Sequence, residues 1–408
     1  MTAAAPRRVA WTFPLAFFGA HLAFMPLLVL LLPRRIEAIA GDQAPLVLSW
    51  LLLSGALAAS AANIVAGHWS DRWIRRHGSR RGLIAIGLAA LLASFVLLAG
   101  AGTAIEAAAA LIAFQLALNL AFAPLGALLA DYIPDAGKGT VAGLMGAALP
   151  VSMGGIALLG WLFPEDSAAA FIVNGLLVAA CMAPLLILWG FGPPLAASAP
   201  ADVQATAAST PVRRDFALVW TGRFLVQLGA AFVIGFLFLL VSDRLQGDPG
   251  WAAGRSPSDA VALLSLAATA LGLIGAIAGG RLSDSVRARR APQAVASALL
   301  AASLAALGGG LSWPLFLLAY ALFQLALSAF LAINFALAAQ LLGASERRGA
   351  LLGVLNLANT LPAVLAPAIA ALSFDAGLIQ GRLGLLFIAS AGAAALASLA
   401  ILQVRRVR

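Results

Sequence analysis

Charge is what this 408-residue chain most lacks. Only 10% of its residues are Asp, Glu, Lys or Arg, against roughly a quarter in soluble domains. That is too little to cover a water-exposed surface of this size. Disorder is excluded from the opposite side, because 62% of the residues are hydrophobic and cannot be left unburied. Cysteine is nearly missing: Cys181 stands alone, so no intrachain disulfide and no CxxC site can form. The three histidines, His21, His68 and His77, are too scattered for a metal centre. There is no phosphate-binding GxxxxGK[ST] loop, which argues against ATP-driven pumping, and no HExxH. No Ser/His/Asp grouping and no carboxylate pair within one apolar run stands out. The expectation is a protein with no catalytic residues, no metal and no cofactor. Acids are also missing from one particular place: all 16 Asp and Glu lie between apolar runs or at their ends. Lysine is reduced to Lys138, and this Arg- and Ala-rich usage resembles that of GC-rich bacterial genomes.

What the chain does have is long apolar runs. Twelve are read at 11–33, 43–66, 82–101, 106–130, 140–163, 168–190, 216–241, 258–279, 292–311, 313–341, 348–372 and 381–403, each near the ~20 residues that cross a bilayer as a helix. The first follows Arg7 and Arg8 as a signal peptide would. It continues to Leu32 without a small-x-small cleavage site, so it is expected to stay as a span. The segment from Pro193 to Pro211 is rich in Ala, Pro, Ser and Thr and has no periodicity. It divides the chain into an N-terminal bundle (1–190), a cytoplasmic linker (191–215) and a C-terminal bundle (216–408).

The net charge of +9 comes from short basic clusters between the runs, which fits membrane topology and not a nucleic-acid partner. Of the 25 basic residues, 19 fall on one side of the alternating loops. Five fall on the other (Arg34, Arg35, Arg244, Arg255, Arg382), and Arg223 lies within a span. This asymmetry places both termini in the cytoplasm. The expected location is a bacterial cytoplasmic (inner) membrane.

The chain also repeats itself. Gly67-His-Trp-Ser-Asp71 returns as Gly280-Arg-Leu-Ser-Asp284, Phe114-Gln-Leu-Ala-Leu118 as Phe323-Gln-Leu-Ala-Leu327, and the pair Gly139 and Gly143 as Gly349 and Gly353. Three matches at offsets of 213, 209 and 210 residues, in order, indicate two parallel repeats of six spans each.

The loop from Gly67 to Arg81, with its Asp71-Arg72 pair, Gly78 and paired Arg80-Arg81, resembles the signature loop of the major facilitator superfamily. The segment from Gly280 to Arg290 is similar to its weaker second copy. The resemblance implies an all-α integral membrane fold of 12 transmembrane helices, in two six-helix parallel repeats around a central cavity, and a monomer. More narrowly, Ala127 to Pro134, Trp220-Thr-Gly-Arg-Phe-Leu225 and Asn356 to Pro362 look like segments of the glycoside–pentoside–hexuronide and sucrose-type transporters. That narrower resemblance implies cation-coupled sugar transport, a symporter, although the acids those symporters carry in their first helices are missing here.

The superfamily resemblance implies a cavity lined by spans one, four, seven and ten. Polar residues at helical spacing occur there: Gln115 and Asn119, Arg223 and Gln227, Gln324 and Ser328 with Asn334 deeper, and His21 in the first span. Amides offer both donors and acceptors, which suits hydroxyl groups. Gln115, Asn119, Gln227, Gln324, Ser328 and His21 are therefore the candidate solute-binding residues, with helix-to-helix bonding as the competing role. The absence of mid-span acids favours a neutral or anionic solute. It leaves proton coupling, sodium coupling and uniport open. His21 is the one candidate proton acceptor.

Asp71, Arg72, Arg80, Arg81 and Asp284 are expected by resemblance to act in the cytoplasmic gate. Asp131 and Arg223 are added to that gate, with cation binding and anion binding respectively as their alternatives. Asn356 and Asn359, with Pro362 and Pro367, are expected to mark a bend. The leading function is transport of a small polar solute, a sugar or glycoside, by alternating access. The alternatives are an efflux carrier for amphipathic compounds, or a non-transporting assembly factor of the kind that resembles this loop in bacteriochlorophyll and light-harvesting biogenesis.

Overall fold

The computed structural model describes residues 7–132, 145, 147–164, 167–189, 210–286, 289–342, 348–379 and 382–405. Among these residues there is no strand. That follows from the solvent: hydrocarbon offers backbone groups no partner, so each apolar run must bond within itself. The first unit spans Met1–Ala199. It contains α1 (Arg7–Pro26), a single π-helical turn (Leu27–Leu31) and α2 (Leu32–Ala40), then α3 (Ala44–His77), α4 (Arg81–Gly100), α5 (Ala104–Tyr132), α6 (Ala148–Leu162) and α7 (Ser167–Ile187). The second unit spans Pro200–Arg408. It contains α8 (Thr210–Gly247), α9 (Pro257–Val286), α10 (Arg290–Gly308), α11 (Trp313–Leu342), α12 (Arg348–Asp375) and α13 (Gly384–Leu402).

Ten described helical stretches are long and apolar enough to cross a membrane. One of them, Trp11–His77, is 67 residues long. At 1.5 Å per residue it would be about 100 Å, three times a hydrocarbon core. Gly41, at φ +52°, breaks it, so it counts as two spans. The helix Ala148–Leu162 covers the second part of the fifth expected run, whose start lies outside the described residues. α8 begins at Thr210, inside the stretch read as linker, because Pro211 suits a first helical turn. α12 runs unbroken through Pro362 and Pro367.

The caps are legible in the sequence. Gly78 takes φ +69° at the end of α3, behind Arg75, Arg76 and His77 in the last turn, a left-handed cap with cations at the negative helix end. Before α5, Glu106 accepts from the Gly102 and Thr103 amides (2.7 and 3.2 Å), while Thr103 accepts from the Glu106 amide, a reciprocal capping box. The spans keep large apolar side chains on their outer faces, among them Ile64, Val96, Leu176, Val295 and Leu372, as lipid-facing helices do.

The repeat seen in the sequence recurs in the packing. In the first unit α4 packs on α5 and α7, α3 on α5, and α1 on α5, α6 and α7. In the second, α10 packs on α11 and α13, α9 on α11, and α8 on α11, α12 and α13. Matching α1, α3, α4, α5, α6 and α7 with α8 to α13 in order turns one list into the other.

Individual contacts match too. Gly19 lies so close to α7 that an added Cβ would meet Cys181 at 2.7 Å. Gly229, 210 residues on, would meet Ser390, 209 residues beyond Cys181, at 3.5 Å. Arg35 closes the end of α4 by donating to the Ala101 and Ala99 carbonyls at 2.8 and 3.0 Å. Arg244, 209 residues on, closes the end of α10 through Leu307 (2.9 Å), Gly309 (2.5 Å) and Leu311 (3.5 Å). The offset drops by one residue across the π turn at Leu27–Leu31, which accommodates one extra residue in the first copy.

Backbones approach closely where α9 meets α11. An added Cβ on Gly275 would overlap the Leu325 carbonyl, and one on Gly279 would stand 2.7 Å from the Ala329 Cα. These neighbours are backbone and cannot swing away. Gly275→Ala is expected to cost about 1–3 kcal/mol by overpacking, read as a lower melting temperature in detergent. An unchanged melting temperature would contradict the close α9–α11 approach.

Candidate functional site

The second unit gathers polar side chains in an apolar interior. Arg223 lies nine residues beyond Arg214 in α8, about 14 Å along the axis. Its Nε donates to Asn359 Oδ1 of α12 at 2.8 Å. Its Nη1 donates to Asn334 Oδ1 of α11, also at 2.8 Å. Gln227, one turn on, donates its Nε2 to the same Asn359 Oδ1 at 3.2 Å. Asn334 is fully buried, and its Nδ2 has no hydrogen-bond partner. On the turn before, Trp220 donates its indole N–H to the Val354 carbonyl of α12 at 2.7 Å and stacks on Phe224. Three helices thus converge on one guanidinium, and both of these guanidinium bonds end on neutral amide oxygens.

The sequence singled out Arg223 and Gln227, and the structure joins them. In the sequence Asn334 stands only as deeper in its span, and Asn359 belongs to an expected bend. The structure makes both the acceptors of the cluster. The Asn359 periodicity was available, but nothing in the sequence alone pairs α8 with α12. Gln324 and Ser328 do not join these contacts. Gln324 donates to the Tyr320 hydroxyl on its own helix at 3.0 Å, both side chains buried, and Ser328 is partly buried on α11.

In the first unit Gln115 and Asn119 are both buried on α5. Asn119 Oδ1 accepts from Asn63 Nδ2 of α3 at 3.2 Å, and its own Nδ2 donates to the Gln115 carbonyl at 2.9 Å. The Asn119 amide therefore ties two helices, the competing role weighed for it. Asn63 is the partner that sequence reading missed. His21 sits among aromatic rings, with centroids 4.8 Å from Phe17, 5.4 Å from Phe24 and 5.6 Å from Phe122. Its Nδ1 lies 2.9 Å from the Phe17 carbonyl. A carbonyl only accepts, so Nδ1 carries the proton and Nε2 is the free acceptor of the neutral ring.

At the signature loop, Asp71 pairs with Arg80, Oδ1 to Nη2, at 3.1 Å. Arg80 is buried and also donates to Ser70 Oγ. Asp71 sits inside α3, two turns before its end, and this arginine is its described partner. Arg72 and Arg81 are exposed. The side chains of Asp131 and Asp284 lie outside the described residues, although the backbone places both in the last turns of α5 and α9. Arg80→Ala is expected to leave Asp71 unpaired and to lower transport more than Arg72→Ala, read as initial uptake rate. Equal effects of the two would remove the Asp71–Arg80 pair from the gate.

A repeated helical unit whose spans carry large apolar side chains on their outer faces defines a multi-pass membrane protein. The sequence profile of the Major Facilitator Superfamily matches residues 13–367, and the chain belongs to that superfamily, whose members work by alternating access. Among solved structures it is similar to a bacterial homolog of the human lysosomal transporter Spinster, in an inward-facing, unoccupied conformation, at 17% identity and TM-score 0.68, over 99% of both chains. It is also similar to the nucleoside transporter NupG, at 12% identity and TM-score 0.72, over 98% of this chain and 100% of that one. At such identities the likeness is one of fold. No curated protein matches the sequence significantly.

Proposed function

We propose that this transporter carries a small hydroxyl-rich solute, a sugar or glycoside, across a bacterial cytoplasmic membrane, with both termini in the cytoplasm and the solute held by the α8 cluster of the second unit. One observation supports this reading above the others: Arg223, Gln227, Asn334 and Asn359 meet from three helices, where a bilayer-spanning protein keeps polar groups mainly for function. Amides and a guanidinium together match hydroxyl oxygens and their protons. His21, with its free Nε2, and Gln115 supply further polar groups in the first unit, and the Asp71–Arg80 pair belongs to the gate. A coupling proton or sodium ion is part of the proposal only as a variable of the assay.

The test is solute counterflow in proteoliposomes, with sugars, glycosides, organic acids and amphipathic cations as separate panels at several pH values and sodium concentrations. Exchange of a sugar or glycoside class supports the reading. Exchange of amphipathic cations alone replaces it with efflux. No exchange of anything, with a pigment or partner protein co-purifying, replaces it with an assembly role.

A further inference from the structure

We infer that Arg223, framed by Asn334 and Asn359, receives an anionic group of the cargo, a carboxylate or a phosphate. The inference rests on the carrier reading and narrows its substrate class.

The charge of Arg223 is unbalanced. A guanidinium carries five N–H donors and a permanent positive charge. Here Nε and Nη1 donate to neutral amide oxygens, and Nη2 takes part in neither bond. Arg223 forms no ion pair with a described residue. The surrounding sequence offers no substitute. α11 contains no acid, and α12 contains only Asp375, at its last residue. In α8 the acids are Asp215, eight residues before Arg223, and Asp243, twenty after. Asp215 Oδ2 already accepts from the Arg405 amide at 3.2 Å. A cation this deep in an apolar bundle is normally balanced by an acid. Cargo can supply that balance.

A neighbouring donor is unsatisfied. Asn334 is fully buried, gives its oxygen to Arg223, and is left with an Nδ2 that lacks an acceptor. Buried polar groups are nearly always satisfied, so an orphan beside a cation calls for explanation. Arg223 Nη2 and Asn334 Nδ2 are both donors, and carboxylate and phosphate are acceptor-only groups. A neutral sugar hydroxyl brings a proton that this corner has less use for.

The repeat supplies an internal control. The residues 210 before Arg223 and Gln227 are Phe13 and Phe17. The residue 209 before Asn334 is Leu125, and the residue 210 before Asn359 is Leu149. The first unit builds the same helix packing with apolar residues at all four positions. The cluster is therefore not required by the fold that carries it.

The experiment uses the full-length protein in detergent, in chloride-free buffer, with matched pairs of probes: glucose against glucuronate and glucose 6-phosphate, and glycerol against glycerol 3-phosphate. Binding is read by thermal shift and titration calorimetry. The anionic member of at least one pair is expected to raise the melting temperature while its neutral counterpart does not. Arg223→Gln is expected to weaken that binding roughly 10- to 100-fold, and Arg223→Lys to recover part of it. Without ligand, Arg223→Gln is expected to melt at or above wild type, because an unbalanced cation has been removed.

Four results overturn the inference: neutral members binding as well as anionic ones, an anion response that survives in Arg223→Gln, no response to any of the anions at millimolar concentration, or a ligand-free Arg223→Gln that melts well below wild type. The carrier reading fails separately. If counterflow of neutral solutes runs equally in wild type and Arg223→Gln, the anion site falls and the carrier stands. If an anion binds through Arg223 and nothing is exchanged, the anion site stands and the carrier falls.

Discussion

Asn359→Leu is expected to abolish solute exchange and also to lower the melting temperature. Asn359 Oδ1 is the shared acceptor of Arg223 Nε and Gln227 Nε2. Replacing it strips two donors at once, one of them charged. A hydrogen bond to a charged group is worth about 1.5–3 kcal/mol, and a second, neutral donor loses its acceptor as well. The loss of transport should exceed tenfold in initial rate. Stability and transport then separate in a double variant. In Arg223→Met/Asn359→Leu the unpaired cation is gone and an apolar pair fills the space, as the first unit does with Phe13 and Leu149. The melting temperature is expected to return toward wild type while exchange stays absent. If Asn359→Leu transports normally, the cluster is not the binding site. If the double variant melts lower than either single one, the cluster is structural.

Arg244→Ala is expected to be the most destabilising single truncation outside that cluster. The side chain donates to three carbonyls at the end of α10. Its guanidinium lies 5.5 Å from the Trp251 ring centre and 5.2 Å from that of Phe316. The last carbonyls of a helix have no partner of their own, and here one planar fork supplies them. Two or three charge-assisted bonds and a cation–π contact make a loss of about 3–5 kcal/mol reasonable. Arg244→Lys should recover less than half, since an ammonium cannot spread over three carbonyls while stacking on two rings. Arg35→Ala, the counterpart in the first unit, should lower the melting temperature as well, since Arg35 donates to the Ala101 and Ala99 carbonyls at the end of α4. A melting temperature unchanged in Arg244→Ala would refute the capping role.

The fold was legible for one reason. In a bilayer the apolar run is itself the structural signal. The six-plus-six repeat could be read from short motifs, because each copy must rebuild the same packing. The caps at Gly78 and Thr103–Glu106 are local, so local sequence shows them. What stayed hidden is what depends on which helices meet. Arg35 and Arg244 read as loop charges until α2 is set beside the end of α4 and α8 beside the end of α10. Asn119 stands out in the sequence as a polar residue in an apolar run, but its pairing with Asn63, 56 residues away, does not. Asn334 and Asn359 drew notice as polar residues in apolar runs, but periodicity within one helix cannot say that two other helices share a guanidinium.

The most direct test pairs stability and binding in one variant, Gln227→Leu. It removes a single neutral donor, and Asn359 Oδ1 keeps its bond from Arg223 Nε, so no buried acceptor is left bare and the cost to folding is small. The measurement is the melting temperature of the purified protein with and without the solute identified by counterflow. A polar cluster kept for cargo predicts a ligand-free melting temperature within about 2 °C of wild type, since a change well under 1 kcal/mol moves it no further, and a solute-induced shift that is lost. A preserved shift, or a ligand-free protein that melts far below wild type, would contradict the assignment of the α8 cluster as the cargo site.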